Sequence, residues 1–410
     1  MSRRILLICP EPLWHGRPAG VGIRFIEISA ALSRAGFEVV LMSPDGAEAR
    51  AASGRSLSPS AIAEESRRAE VAVVQGHAAN DFFAHAERVP TVVDMYDPYL
   101  IENLSYAASD EGIWAHDWNT TMNSLRRGDF FLCSSTRQRA YYLGWLAALG
   151  RINPGSFADD PTLDSLLEVV PFGVPAPRAI PDKSLDLPSI LFGGVYDWYD
   201  PILAIEAAAL AAKEIHGLSL TFVSHPNAEV TPQSKFGQAK AFVDRNRLHD
   251  TIRFREWFSY EGRAGIYDDH VAAMLTFPRS LETELSFRTR VLDYLWGGLP
   301  VFTSPAAGTD EIIHRYQAGV VLGANAPEIA SHMVSMLKDR ATYRTLVEGT
   351  QRFVSDYQWS DLASPLVEFC RNPRIDENAE RFVRLEATAQ TRRPSLARRV
   401  VRKFRRTIDR

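Results

Sequence analysis

Residues Ser286–Pro300 read SFRTRVLDYLWGGLP, and their polar side chains are spaced as an anion site requires. The periodicity predicts a helix over Ser286–Trp296, with Ser286, Thr289, Arg290 and Asp293 near one face and Phe287, Val291 and Leu295 near another. The first turn of a helix has free N–H groups and the positive end of the dipole, and Arg288 and Arg290 add charge of the same sign. That placement costs helix stability unless an anion sits in front, where charge-assisted hydrogen bonds reverse the sign of the effect. Asp293 lies further along the polar face, where a carboxylate can accept two bonds from a ribose diol. Gly297 and Gly298 stop the helix and let a strand turn back beneath it. The expectation is a nucleoside-diphosphate site; the plainer alternative is an arginine pair in solvated salt bridges with Glu282 and Glu284.

Two glycine-rich turns extend the pattern. After a first apolar strand the chain runs PEPLWHGRPAGVGIRF, with Gly20 and Gly22 placed just before a helix, where backbone can approach a ligand closely. The third glycine of a dinucleotide fingerprint is missing, and the next strand ends MSPDG without that fingerprint's acidic partner. A second strand, ILF, leads into GGVYDWYDP, where Gly193 and Gly194 precede a helix capped by Asp200 with Pro201 at its first position.

The elements that must carry these residues alternate throughout. Strand-like runs at Ile5–Cys9, Val39–Met42, Val71–Gln75, Thr91–Asp94, Phe130–Cys133 and Val169–Pro171 are separated by helical patterns such as Ile23–Arg34 and Thr136–Leu149. Continuous apolar strands between helices indicate a parallel sheet covered on both faces. A stretch with prolines at 171, 175, 177, 181 and 188 reads as a linker, since proline removes donors and fixes φ. The alternation then restarts, with strands at Ile190–Phe192, Leu218–Val223, Ile252–Arg255, Ala272–Phe277 and Pro300–Thr303. Helices follow at Pro201–Lys213, Lys235–Asn246 and Asp310–Tyr316, and others at Pro327–Leu337, Thr342–Asp356 and Ser360–Phe369 are expected to close the second half. The fold class is therefore α/β, two Rossmann-like domains facing a cleft. The boundaries are 1–173 for the first domain, 174–189 for the linker, 190–370 for the nucleotide-binding domain and 371–410 for a C-terminal extension.

Composition narrows the function class. The 410 residues are 46% hydrophobic and 23% charged, as in ordinary globular proteins. No apolar run reaches membrane-span length, and the apolar start is too short for a signal-peptide core. Cys9, Cys133 and Cys370 form neither a disulfide framework nor a metal-ligand spacing, which fits a cytoplasmic protein without metal. Net charge is −4, but residues 391–410 hold nine Lys/Arg and one Asp, leaving 37 basic and 49 acidic residues before them. An acidic body argues against nucleic acid as a partner. In the tail, TRRPSLARRVVRKFRRTIDR, Leu396, Val400, Phe404 and Ile408 recur at every fourth residue among arginines. The pattern predicts either a helix lying on an anionic membrane surface or a solvated terminus.

With these residues in place, ETELSFRTRVLDYLWGGLPVFTS resembles the nucleotide-binding signature of retaining GT-B glycosyltransferases of the family 4 type. PAGVGIRFIEISAALSRAGFEVVLMSP is similar to that family's first strand–loop–helix, VVPFGVP to its domain junction, and FGGVYDWYDP and RGDFFLCSSTRQRAYYLGWLAALGRINP to a bacterial surface-polysaccharide branch. The resemblance implies the GT-B fold and transfer of a sugar from a nucleotide sugar to an acceptor hydroxyl, with retention and without a cofactor. The acceptor it implies is a glycan or a lipid-linked glycan. Asp293 falls where the family holds the donor ribose, whereas Leu285 stands at the first signature Glu. No Arg or Lys lies between Gly193 and Pro201, where the family often carries them for the diphosphate, so Arg255, Arg288 or Arg290 must supply that charge. The family's first-domain His is replaced by VVDMYDPYLIEN, leaving Asp94, Tyr96 and Asp97 to touch the reacting sugar or acceptor, with Asp94 and Asp97 as catalytic candidates. His15 and His77 are further cleft candidates, more often structural than chemical. Two alternatives stay open: a non-catalytic nucleotide-sugar-binding subunit, and a GT-B-like sugar-nucleotide epimerase.

Overall fold

The computed structural model of the chain describes residues 2–13, 20–44, 53–104, 110–224, 234–256, 262–306, 308–323 and 325–379. The basic tail, and with it the expected membrane helix, lies outside the described residues, as does His15.

The first half supplies strands β1 (Arg4–Ile8), β2 (Glu38–Ser43), β3 (Ser53–Ser56), β4 (Val71–Val74), β5 (Thr91–Asp94), β6 (Phe130–Cys133) and β7 (Leu167–Val169). The second supplies β8 (Ser189–Gly194), β9 (Ser219–Val223), β10 (Ile252–Arg255), β11 (Ala272–Leu275), β12 (Val301–Thr303) and β13 (Gly319–Val321). They form two sheets, ordered β3-β2-β1-β4-β5-β6-β7 and β10-β9-β8-β11-β12-β13. Every ladder is parallel, so all carboxyl ends in a sheet share one edge. In each sheet the order reverses beside the first strand of that half, β1 or β8, which is where a doubly wound sheet opens a crevice for ligands.

Helices α1 (Gly20–Arg34), α2 (Pro59–Ser66), α3 (Ala78–His85), α4 (Tyr99–Glu102), α5 (Glu111–Arg127), α6 (Thr136–Ala148) and α7 (Pro154–Asp159) belong to the first half. The second carries α8 (Pro201–Ala211), α9 (Ser234–Asn246), α10 (Arg263–Asp268), α11 (Leu281–Leu285), α12 (Thr289–Trp296), α13 (Thr309–Tyr316), α14 (Ala326–Lys338), α15 (Arg340–Asp356), α16 (Trp359–Leu362) and α17 (Ser364–Arg371). Strands β1, β4, β5 and β6 are almost wholly buried, as their unbroken apolar runs require. No helix among the described residues is long and apolar enough to cross a membrane.

Two expectations need correction. The helix expected over Ser286–Trp296 starts only at Thr289: Ser286 is extended, Arg288 is the N-cap of α12, and a separate short helix, α11, capped by Ser280, ends just before this span. Of the three helices expected to close the second domain, α14 and α15 pack on it, but the last, expected over Ser360–Phe369, packs back on the first. Trp359 meets Phe172 at 4.9 Å between ring centroids, Phe369 stacks on Phe130 at 4.8 Å, and Asp376 accepts from the buried Arg151 at 2.6 Å. Within the linker, Ala176 O accepts from Trp296 Nε1 at 3.0 Å and Lys183 Nζ donates to Tyr267 O and His270 O, so it is seated on the second half.

Candidate functional site

The strand β8 bulges between Leu191 and Gly193, and Gly193 has φ +75. A Cβ there would fall 2.3 Å from Tyr294 Oη and 3.1 Å from Arg290 Nη1, so only glycine lets α12 slide this close beneath the turn. Tyr294 fixes the contact by donating to Phe192 O at 2.7 Å. Gly194 is the last residue of β8 and pairs with Val223. Arg290 thus reaches the glycine turn from α12, donating to Tyr196 Oη at 3.0 Å with its guanidinium 5.5 Å from the Tyr196 ring centre. A cation therefore lies beside this turn, although none occurs between Gly193 and Pro201 in sequence.

Arg288 does different work. Its side chain is 8% exposed, donates to Glu282 Oε2 at 2.6 Å and lies 4.6 Å from the Phe277 ring centre. This part-buried ion pair uses Glu282, the partner the plainer reading named, and shapes the α11–α12 turn. Phe287 is buried beside Gly308, and Thr289 opens the helix. Two buried polar atoms of this turn, Ser286 Oγ and Arg288 Nε, have no hydrogen-bond partner among the described residues, a demand that an oxygen-rich ligand can satisfy.

Asp293 sits one turn along with 35% of its side chain exposed, and Arg263 Nε is 3.8 Å from Oδ1. Burial raises its carboxyl above the usual carboxylate value, while Arg263 and Arg290 pull it back down. Arg263, at the start of α10 and 4.6 Å from the Trp296 ring centre, was missed by sequence reasoning; a lone arginine in EGRAG has no spacing that marks it. Arg255 is not part of this group. It is half-exposed and pairs with Asp269 at 3.2 Å.

On the first domain, α1 already begins at Gly20 rather than after Gly22. A Cβ on Gly20 would lie 3.4 Å from Tyr96 Oη. Gly22 N donates to Glu11 Oε2 at 2.9 Å, so a carboxylate of the chain already occupies one of the amides in the first turn. Asp94 is corrected from the reading that put it against the sugar. Both its oxygens accept from Arg24, at 2.6 and 3.1 Å, and both side chains are fully buried. Arg24 also donates to Val170 O and Pro171 O, so the pair ties α1 to the end of β5 and the start of the linker. Asp97, three residues on, is only partly buried and shares a hydrogen bond with Glu102. Burial first, then the charges of Glu102, Glu11 and Asp94, hold the Asp97 carboxyl well above the ordinary range. Two carboxyl groups can share such a bond only with a proton between them. His77 stacks on His116 at 4.5 Å with a 2.9 Å bond between ring nitrogens; burial and His116 lower its pKa.

The two carboxyl edges meet across the chain halves. Gln138 Nε2 donates to Leu285 O at 2.8 Å, and Arg137 Nη2 bonds Asp310 Oδ2 at 2.6 Å. Among the described residues no three His, Cys, Asp or Glu side chains converge as metal ligands would.

Comparison with known proteins defines the class of fold. No protein-family model and no curated protein sequence matches the chain. Solved structures do. A sucrose-phosphate synthase from Thermosynechococcus elongatus is 16% identical with a TM-score of 0.66, over 90% of this chain and 99% of that one. WaaG, a glycosyltransferase involved in lipopolysaccharide biosynthesis, is 12% identical with a TM-score of 0.61, over 89% of this chain and 99% of that one. HepE from Anabaena, solved with UDP and glucose, is 13% identical with a TM-score of 0.62, over 90% of this chain and all of that one. The chain has the GT-B fold, two Rossmann-like domains built on parallel sheets.

Proposed function

We propose that the chain is a glycosyltransferase that moves a sugar from a nucleoside-diphosphate sugar to the hydroxyl of a glycan or lipid-linked glycan acceptor. The observation that carries this reading is the placement of Arg290 against Gly193, with Asp293 one turn along the same helix. The diphosphate would lie between the β8 turn and the front of α12, and the ribose diol would meet Asp293. Departure of the nucleoside diphosphate builds negative charge on its outer phosphate. Arg290 and the amides at the α12 N-terminus are fixed donors there before reaction begins, which is where electrostatic catalysis is most effective. On the acceptor side, Asp97, beside Glu102, would hold the incoming hydroxyl. Retention of configuration, transfer without a metal, and a role in bacterial surface-glycan assembly are part of the proposal. The resemblance to family 4 and the lipopolysaccharide role of WaaG support them.

A second reading is favoured by one observation: Asp94, where the family pattern puts first-domain chemistry, is locked to Arg24. A subunit that binds a nucleotide sugar without turning it over would keep Arg290 and Asp293 and tolerate that arrangement. Screening nucleotide sugars with and without glycan acceptors separates the two. Release of free nucleoside diphosphate marks transfer, thermal stabilisation alone marks binding, and neither response rejects both.

A further inference from the structure

The front of α6 enters the second domain at three points. The N-cap Ser135 packs where a Cβ on Gly308 would fall, at 3.0 Å, Arg137 bonds Asp310, and Gln138 reaches Leu285. Gln138 is fully buried, and its amide makes four hydrogen bonds. Its oxygen accepts from Ser134 N at 2.8 Å and Ser134 Oγ at 2.7 Å; its nitrogen donates to Tyr96 O at 3.0 Å and Leu285 O at 2.8 Å. Tyr96 O is the carbonyl just before Asp97, and Leu285 O the one just before Ser286. One planar amide therefore spaces the acceptor-side carboxyl pair from the donor-side helix front. A carboxylate cannot replace it, because two backbone carbonyls face its N–H groups.

We infer that Gln138 is the positioning residue of the closed cleft, setting the distance between donor and acceptor, and that the front of α6 is the pin that holds closure. The inference rests on the proposed transfer reaction for its kinetic consequence but not for its geometry. Gln138 is fully buried and offers no surface to a substrate, so its loss leaves nucleotide binding intact and misaligns the two reactants.

The test uses the full chain with spin labels on exposed sites of the two halves, Ser60→Cys and Gln238→Cys, the three native cysteines being buried. In the Gln138→Leu and Gln138→Glu variants the interdomain distance distribution should broaden and lengthen. UDP, GDP, ADP and dTDP serve as binding probes, and any that bind should keep their affinity within about twofold. Turnover of whichever nucleotide sugar reacts should fall in kcat by at least about tenfold at unchanged donor KM, the pattern of lost alignment. Arg137→Ala, on the solvent side of the same pin, repeats the distance measurement if the buried variants fail to fold. An unchanged distance distribution in these folded variants overturns the pin. A donor-affinity loss equal to the loss in turnover overturns the positioning role. If no nucleoside diphosphate binds even the unsubstituted chain, the proposed function fails while the distance measurement still decides the pin.

Discussion

Burial and neighbouring acids raise the Asp97 carboxyl above its unfolded value, so the native state holds a proton that the unfolded chain releases at lower pH. Its contribution therefore falls as pH climbs from the ordinary carboxylate range through the raised value. Asp97→Asn should melt at a higher temperature than the wild type at pH 8, with the advantage gone by pH 4; an equal offset at both pH values would mean that Asp97 is not held protonated. The two arginines of SFRTR divide in the same residue-level way. Arg288→Ala leaves Glu282 without its partner in a poorly solvated turn and should cost about 3 kcal/mol of stability in urea unfolding. Asp293→Asn should leave stability nearly unchanged and weaken nucleoside binding by roughly 1.5–3 kcal/mol, the range for a hydrogen bond to a charged acceptor. Asp293 and the arginines were legible because helical spacing gathers them on one segment. Arg263 and the Arg24–Asp94 pair were not, since their partners lie on separate elements and only folding brings them together.

Elements with unbroken apolar runs were readable to within a few residues, because a parallel strand covered on both faces leaves no polar position to blur its ends. The edge strand β3, SGRS, carries no such signal, and neither does the short β13. The turn between α11 and α12 escaped for another reason. A single helix through Ser286–Trp296 satisfies the periodicity, but Ser280 caps a separate short helix and the chain must extend at Ser286 to bury Arg288. The β8 turn makes the sharpest prediction at this scale. Gly193→Ala must adopt a left-handed backbone and push its methyl into Tyr294 Oη, which should cost about 1–3 kcal/mol for the backbone alone. Because Arg290 is the next neighbour, the variant should also lose nucleoside-diphosphate affinity. A stable variant with full affinity would show that α12 does not rest on this turn.

For the whole molecule, the alternation of strands and helices on either side of a proline-rich stretch was enough to expect two Rossmann-like halves. The return of α16 and α17 to the first domain was not foreseeable, since nothing in an amphipathic helix says which of two cores it will cover. The choice between a membrane-lying helix and a solvated terminus for residues 391–410 belongs to this scale too, and the membrane reading makes a prediction. Each basic residue near an anionic membrane surface contributes about 1 kcal/mol, so removing residues 391–410 should abolish binding to phosphatidylglycerol vesicles and leave turnover of a soluble acceptor unchanged. Whether the second domain reads a diphosphate through Arg290 is decided by calorimetric titration of the full chain. Uridine, guanosine, adenosine and thymidine are each compared with their diphosphates, for the wild type and for Arg290→Ala. One diphosphate should bind the wild type well above its nucleoside, and Arg290→Ala should remove most of that difference while sparing the nucleoside. Equal losses for nucleoside and diphosphate, or a preference for the diphosphate that survives the substitution, would contradict that role for Arg290.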